Sequence, residues 1–347
     1  MIKIVVIGGG LTGLYLSYLL KQRDIECLVL EGSSRLGGRI HTVKGSLDTP
    51  LELGATWFSD LHVNLLKLIN ELGLRKFPQF SQGISLFETK SFAPAQEFYV
   101  PESESPSYRM EGGTGTLIDA LKSKLRPNQI KLNDKVIQVE EIANQLVLKT
   151  KGGKEYHADK VVICMPTQLV SSTISFVPSL SPSLMDLLAT VQTWMAGAIK
   201  FTLEYSDPFW RHNGYSGMLF SHAGIITEMY DHTNYEVSKY GFTGFLSAAA
   251  KSYSEPVRKE LVLKQLVSLF GEQAAKPSTY YDKVWTAEFI IQGTPEIQRP
   301  HQNNGHPFLH DAQMNGKLFF CGTETSSAYS GYMEGALVAA QKVAKQL

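Results

Sequence analysis

The sequence predicts an α/β fold in which both ends of the chain build one domain and the middle forms an inserted α+β domain. Residues 2–7 form an apolar strand that runs into a glycine turn and a helical pattern. The chain closes with a second strand and helix after Lys317. With 347 residues and 43% hydrophobic content, the chain has enough apolar surface for two cores.

Composition and terminal sequence exclude several classes of function. The 33 basic residues balance the 33 acidic ones, so no overall positive field attracts nucleic acid or an anionic membrane. The sequence begins without a signal-peptide pattern, and no stretch approaches the roughly 20 apolar residues of a membrane span. Cys27, Cys164 and Cys321 lie in apolar runs, as buried strand thiols do. We expect a cytoplasmic protein without nucleic-acid or membrane partners; the oligomeric state is not predictable.

The first half of the chain contains three kinds of pattern. After the opening turn, a helix is expected over residues 14–22 and a strand over 26–30. Residues 79–109 are rich in proline and serine and predict irregular structure or short helices. Residues 128–165 alternate apolar and polar side chains around Gly152-Gly153, which predicts strands joined by a hairpin.

Strand patterns continue beyond Trp194, in the segments GAIKFTLEY and GFTGFLSAAA. A helix is expected over residues 257–270, and the terminal helix over 333–346. Because the pieces at both ends suit one α/β domain, the strands between them form the inserted domain, and a ligand is expected between the two.

Gly8, Gly10 and Gly13 form a G-x-G-x-x-G motif between the first strand and its helix, and Glu31 ends the next strand. The first glycine permits a tight turn, the second admits a pyrophosphate close to the backbone, and the third lets helix and strand touch. Glu31 is placed to accept hydrogen bonds from ribose hydroxyls. The pattern predicts a Rossmann-like dinucleotide site for FAD or NAD.

A second glycine loop follows directly, with the sequence Arg35-Leu-Gly-Gly38-Arg39. In this position it resembles the flavoprotein extension of the dinucleotide fold, in which the second arginine lies beside the pyrophosphate or flavin. Arg35, Gly38 and Arg39 are therefore candidate cofactor-binding residues.

Further motifs in the same order resemble the flavin-containing monoamine oxidase family along the whole chain. They are Glu52-Leu-Gly-Ala-Thr-Trp57, Glu111-Gly-Gly-Thr-Gly115, Gly197-Ala-Ile-Lys200, Pro208-Phe-Trp-Arg211, Gly322-Thr-Glu-Thr325 and Ser330-Gly-Tyr-Met-Glu-Gly-Ala336. The resemblance implies FAD as the cofactor and an FAD-dependent oxidoreductase that acts on CH-NH or CH-NH2 groups.

The resemblance also implies the domain boundaries. The FAD-binding domain would comprise residues 1–76, 121–189 and 287–347, and the substrate domain residues 77–120 and 190–286. The segment between Gly54 and Gly112, which builds helices over the substrate entrance in larger family members, is much shorter here. This chain therefore resembles a short member with a reduced entrance.

Cofactor contacts carry over from the family position by position. Thr12 and Arg39 would touch the phosphates, and the Val136 backbone would touch the adenine. Ala55, Thr56 and Trp57 would lie beside the flavin. Gly322, Thr323 and Met333 would lie near the pyrophosphate and isoalloxazine, where the N-terminus of the last helix would meet negative charge that develops on the ring.

Lys200 has two interpretations. Alternation along GAIKFTLEY places Lys200 on one face with Ala198, Thr202 and Glu204, which from the pattern alone indicates a solvated strand lysine. The family resemblance instead implies a buried lysine that holds a water near flavin N5, with a depressed pKa that favours proton transfer.

Tyr332 matches one wall of the two-aromatic cage that guides amines toward the flavin in this family. Counted from Trp285, a further candidate catalytic residue, the second wall falls at Pro295, so half of the cage is missing. Phe289, Tyr230 or Trp194 would then replace it, or the substrate is not a simple arylalkylamine.

Thr294 occupies the position at which some family members carry the cysteine bonded to the flavin, so we expect noncovalent FAD. The resemblance implies an amine oxidase that transfers hydride to flavin N5, gives an imine, and uses O2 for reoxidation with release of H2O2. Two alternatives stay open: a flavin desaturase or dehydrogenase that does not use O2, and a non-catalytic FAD-binding protein. The spacing of His301, His306 and His310 does not predict a metal site.

Overall fold

Two large β-sheets, two small two-stranded sheets (β3-β4 and β5-β8) and the helices packed on them make up the described part of the computed structural model, residues 2–285 and 299–347. In chain order the strands are β1 (Ile2–Ile7), β2 (Cys27–Leu30), β3 (Thr42–Lys44), β4 (Pro50–Glu52), β5 (Lys76–Pro78), β6 (Gly83–Thr89), β7 (Phe92–Val100), β8 (Tyr108–Met110), β9 (Ile130–Lys131), β10 (Val136–Ile142), β11 (Gln145–Thr150), β12 (Glu155–Ile163), β13 (Ser175–Val177), β14 (Ile199–Tyr205), β15 (Tyr215–Ser221), β16 (Ile226–Asp231), β17 (Tyr240–Leu246), β18 (Thr279–Val284) and β19 (Leu318–Phe320). The α-helices are α1 (Leu11–Lys21), α2 (Val63–Glu71), α3 (Gly115–Lys124), α4 (Thr167–Thr173), α5 (Pro182–Thr190), α6 (Phe209–His212), α7 (Glu255–Phe270) and α8 (Met333–Gln346).

The first sheet joins the two ends of the chain. Its order is β13-β10-β11-β12-β1-β2-β9, and β19 pairs in parallel with the C-terminal half of β12. Ile4 and Val6 of β1 pack among side chains of α1, α3 and α8, whereas Val5 and Ile7 pack on the other side among those of β10, β11, α4 and α5. Burial of both faces explains why residues 4–7 of β1 are all apolar.

The second sheet has the order β18-β14-β17-β16-β15-β6-β7. Val262 and Leu266 of α7 join its core, where the rings of Trp210 and Phe242 lie 4.0 Å apart. The segments GAIKFTLEY and GFTGFLSAAA, predicted as strands, contain β14 and β17 of this sheet.

The expectation of irregular structure or short helices over residues 79–109 is wrong, since this segment forms β6, β7 and β8. Leu86 of β6 is buried in the hydrophobic core of the second sheet, and this burial stabilises the strand. Pro94 is tolerated because β7 is an edge strand, where a missing backbone N–H faces away from the ladder.

Most other predicted elements are confirmed with small shifts at their ends. The hairpin over residues 128–165 appears as β10, β11 and β12, and α8 has the predicted bounds. α7 begins two residues earlier than expected, at Glu255, because Pro256 fits the first turn of a helix. None of the described helices has both the length and the apolar character needed to cross a bilayer.

The segment that contains β4 lies against the second sheet, and its contacts there fix the position of the residues after β4. The Glu204 carboxylate on β14 accepts hydrogen bonds from the backbone N–H groups of Leu47 and Thr49, both at 3.0 Å. Thr243 on β17 donates to the Glu52 carbonyl at 3.2 Å. These contacts hold residues 54–57 between β14 and the first sheet.

Candidate active site

A cavity of about 370 Å³ lies where the parallel strands of the first sheet end. Gly8 follows β1, Glu31 follows β2, Cys164 follows β12, and Thr323 lies shortly after β19; all four line the cavity. Ligands of open α/β sheets bind outside these carboxyl ends. The first residues of α1 and α8 also border the cavity, so two helix N-termini present backbone N–H groups suited to an anion.

The glycine motif forms a cradle that larger residues would obstruct. Gly8 has φ +109°, and a Cβ atom there would lie 2.5 Å from the Cys164 carbonyl oxygen. Gly10 borders the cavity and forms a bridge with Gly37 of the second glycine loop. Gly13 does not line the cavity; a Cβ atom there would lie 2.0 Å from the Gly8 carbonyl oxygen, so this glycine lets α1 approach the turn.

Glu31 organises the turn from the end of β2. Its carboxylate accepts hydrogen bonds from the backbone N–H groups of Gly9, at 2.7 Å, and Ser33, at 2.8 Å. A carboxylate retains further lone pairs beyond two such bonds, so Glu31 can also receive hydroxyl groups from a ligand.

The two arginines of the second glycine loop have different structural roles. Arg35 donates to the carbonyl oxygens of Gly38, at 2.7 Å, and Ile40, at 3.0 Å, and thereby fixes the shape of the loop. Arg39 forms a bidentate pair with Glu324, with N–O distances of 2.6 and 3.2 Å. Glu324 is fully buried and belongs to the Gly322–Thr325 motif, so this pair joins the two ends of the chain beside the cavity.

The C-terminal wall of the cavity consists of Thr323, Tyr332 and the start of α8. The Thr323 hydroxyl accepts from the Gly331 N–H and donates to the Tyr332 carbonyl, both at 2.9 Å. Met333 lines the cavity, and the neighbouring Glu334 carboxylate accepts from the N–H groups of Asn64 and Leu65 at the start of α2. The wall is thereby fixed to the helix packed beside it.

Lys200 is buried, and the interpretation of a solvated strand lysine is wrong. All seven residues of β14 are buried, because residues 45–57 cover the face that the alternation assigns to solvent. The Lys200 side chain donates to the Gly54 carbonyl at 2.7 Å and to the Thr56 hydroxyl, and its Nζ lies 4.8 Å from the Trp57 ring centroid. Burial lowers the pKa of Lys200 to about 7, while the nearby Glu52 carboxylate opposes this shift.

The aromatic candidates occupy separate positions. Tyr332 lines the cavity and is 42% exposed, and its ring lies 6.4 Å from that of Trp194 with an angle of 29° between the planes. Tyr230 packs instead against Trp57, at 5.0 Å. Trp285 is 7% exposed and donates from Nε1 to the Leu53 carbonyl at 2.7 Å. Phe289, Thr294 and Pro295 lie outside the described residues.

The cavity brings together most of the residues that the sequence assigned to the cofactor. Those that line it are Gly8, Gly10, Thr12, Glu31, Arg35, Gly38, Arg39, Ala55, Val136, Thr323 and Met333. Thr56, Trp57 and Lys200 lie together next to Ala55 without lining the cavity. Gly13 and Gly322 also lie outside the lining: Gly13 lets α1 approach the turn at Gly8, and Gly322 immediately precedes Thr323.

Sequence reasoning missed the wall formed by Cys164, Met165 and Pro166, which follow β12. The run VVICMP carries the signal, because the carboxyl end of a third parallel strand lies at the same edge of the sheet. His301, His306 and His310 have separate contacts: with the Trp194 ring, the Phe308 N–H and the Thr325 carbonyl. Within residues 2–285 and 299–347, no three His, Cys, Asp or Glu side chains converge as metal ligands would.

Comparison with known proteins identifies the family. A family model described as "Flavin containing amine oxidoreductase" matches residues 11–97 and 74–347. The chain belongs to this family. It is therefore an oxidoreductase that acts on CH-NH2 groups and uses a flavin, and its cavity at the carboxyl ends of the parallel strands, with the Gly8 cradle and Glu31, fits the dinucleotide FAD.

Relatives of this flavin amine oxidoreductase match along nearly its whole length. The probable flavin-containing monoamine oxidase A of Dictyostelium discoideum is 25% identical, with 99% of this chain and 97% of the relative covered. Amine oxidase [flavin-containing] B of Sus scrofa is 22% identical, with 99% and 85% covered.

Two solved structures share the fold of the oxidoreductase. Cyclohexylamine oxidase from Brevibacterium oxydans superposes with a TM-score of 0.84 at 21% identity, and putrescine oxidase bound to putrescine with a TM-score of 0.83 at 19% identity. Each comparison covers 99% of this chain and 98% of the other. The α/β architecture predicted from the sequence is thereby confirmed.

Substitution Gly8→Ala is expected to abolish flavin binding, because the added Cβ atom would meet the Cys164 carbonyl at 2.5 Å in a backbone conformation that side chains disfavour. The measurement is flavin absorbance per mole of purified protein. Gly152→Ala is the matched control, since a Cβ atom there meets nothing closer than 3.9 Å. A Gly8→Ala protein as yellow as the control would contradict the assignment of the cradle.

Proposed function

We propose that this protein is an FAD-dependent amine oxidase that holds FAD noncovalently and uses O2 as electron acceptor. The observation that carries the proposal is the Lys200 ammonium, which is enclosed behind the Ala55–Trp57 segment at the edge of the cofactor cavity. The names of the structural neighbours support a small amine as substrate, since one is a cyclohexylamine oxidase and another is a putrescine oxidase bound to putrescine.

In this proposal, the FAD-binding domain comprises residues 1–76, 121–189 and 287–347, and the substrate domain comprises residues 77–120 and 190–286. Thr12 and Arg39 would hold the phosphates, Val136 the adenine, and Glu31 the ribose. FAD bound here would supply a two-electron acceptor for the hydride equivalent of the amine, which would leave an imine, and the same two electrons would reduce O2 to H2O2. The N-terminal N–H groups of α8 stabilise negative charge that develops near them.

Side chains on the substrate side have complementary tasks. The amine must be neutral when it reacts, because an ammonium has no lone pair. Tyr332 presents an aromatic ring at the cavity wall and would orient the amine, with Trp194 as the adjacent ring in place of the missing cage wall. Lys200 would hold a water and move its proton, a task favoured by the pKa of about 7. Trp285 would support this region through its bond to the Leu53 carbonyl.

The main test is peroxide production in air across a panel of primary, secondary and amino-acid amines. An amine oxidase should bleach with at least one amine under anaerobic conditions and should release one H2O2 per amine oxidised when air is admitted. Anaerobic bleaching without peroxide in air would instead identify a dehydrogenase or desaturase that does not use O2.

Substitution Lys200→Met is expected to slow flavin reoxidation by O2 about 100-fold, the lower end of what proton transfer by a positioned group contributes. In the wild type the rate should fall as pH rises through about 7, because Lys200 loses the positive charge that favours reduction of O2. Stopped-flow mixing of reduced enzyme with O2 measures both effects.

Lys239→Met is the control for this experiment, because Lys239 is half-buried, does not line the cavity and donates to the Leu47 carbonyl instead. If Lys200→Met and Lys239→Met reoxidise at the same rate with the same pH profile, Lys200 has no role in the oxygen reaction.

Noncovalent binding predicts that acid precipitation releases all flavin into the supernatant. The reason is chemical: the hydroxyl of Thr294 cannot form the thioether that a cysteine forms. Yellow colour that stays with the precipitated protein would contradict the prediction.

We also propose that the protein works in a reducing compartment, because its three cysteines are free and buried.

A further inference from the structure

A second, much smaller cavity is bordered by Thr56, the sequence neighbour of Ala55 in the cofactor cavity. Its volume of about 10 Å³ is close to that of a single water. Its lining is polar and ionisable, with Glu52, Thr56, Arg109, Thr114 and His232 among the residues that form it.

Several polar atoms at this cavity have no hydrogen-bond partner. Glu52, Thr114 and His232 are each 1% exposed. The Glu52 Oε1 atom accepts from the Thr42 hydroxyl at 2.9 Å and from the Thr114 N–H at 2.5 Å, whereas its Oε2 atom has no partner. The Thr114 hydroxyl is likewise unpartnered, so one water here would meet at least two polar groups.

Thr56 connects this cavity with Lys200. Its hydroxyl accepts a hydrogen bond from the Lys200 ammonium, and the same residue borders the cavity that contains Glu52. Burial raises the pKa of Glu52, and the Lys200 charge opposes that shift. The carboxylate and the ammonium therefore stabilise each other's charged form in a region of low dielectric constant.

Other charged groups also act on Lys200. Arg109 is buried and donates to the Thr233 carbonyl at 2.8 Å. Its positive charge repels the Lys200 ammonium and lowers the Lys200 pKa. Glu228 on β16 adds a weaker negative contribution, and Lys283 lies opposite Lys200 in the register between β14 and β18. His232 is held neutral, because burial, Arg109 and Lys200 lower its pKa well below the usual value.

We propose that Glu52 is a positioning residue for Lys200: its buried carboxylate, with a water in the small cavity, keeps the Lys200 ammonium charged beside the flavin. The inference deepens the proposed oxidase function and rests on it. Arg109 is the opposing charge, so Glu52 and Arg109 together set the fraction of Lys200 that is protonated at neutral pH.

The test measures the Lys200 pKa directly, without turnover, by NMR titration of the FAD-loaded full chain labelled with [ε-13C]lysine. The signal that is missing from Lys200→Met identifies Lys200. Glu52→Gln should lower this pKa by on the order of one unit, since it removes the nearby negative charge. Arg109→Gln should raise it, and Glu52→Asp should restore most of the wild-type value.

Glu141→Gln is the matched control, because Glu141 is a largely buried carboxylate on β10 of the first sheet that binds Lys317 and Asn315 instead. Equal Lys200 pKa values in Glu52→Gln and Glu141→Gln would overturn the proposal. If Glu52→Gln does not fold, Arg109→Gln decides, and an unchanged or lowered pKa overturns it. The titration needs no amine or O2, so its outcome is independent of the peroxide assay that tests the oxidase function.

Discussion

The structure depends on enclosing the positive charge of Lys200. A buried, uncompensated ammonium would destabilise the fold by several kcal/mol, so the chain must surround it with acceptors. The Gly54 carbonyl, the Thr56 hydroxyl and the Trp57 ring provide them from a loop about 145 residues earlier in the sequence. That loop in turn is fixed on the second sheet by Glu204 and Thr243. Lys200 thus joins β14 of the second sheet to the segment that reaches the cofactor cavity at Ala55.

The sequence predicts the cofactor side of the site well, because that side is built from local features. The spacing of Gly8, Gly10 and Gly13 and the position of Glu31 encode the turn, the helix start and the strand end within about 30 residues. The wall at Cys164 was missed, since it enters the site only through the pairing of β12 with β1. Strand neighbours of that kind are a property of topology.

The substrate side is less predictable for the same reason. Alternation along β14 identifies two faces but not what covers them, and both are buried. The prolines and serines of residues 79–109 indicate irregular structure, yet the segment forms strands. The reason lies in tertiary contacts that no local pattern shows: Leu86 packs in the core of the second sheet, and β6 pairs with β15. The terminal helix, in contrast, has its predicted bounds because its apolar stripe is long and regular.

The Arg39–Glu324 pair spans 285 positions of the sequence, and Arg39 lines the cavity. A ribosome makes Arg39 long before Glu324, and β19 and α8, which complete the first sheet and its cover, emerge after the other strands of that sheet. The nascent chain therefore exposes an incomplete cavity until both segments have been synthesised. Flavin binding that needs the wall formed by Thr323 and Met333 then selects chains in which both halves of the first sheet have come together.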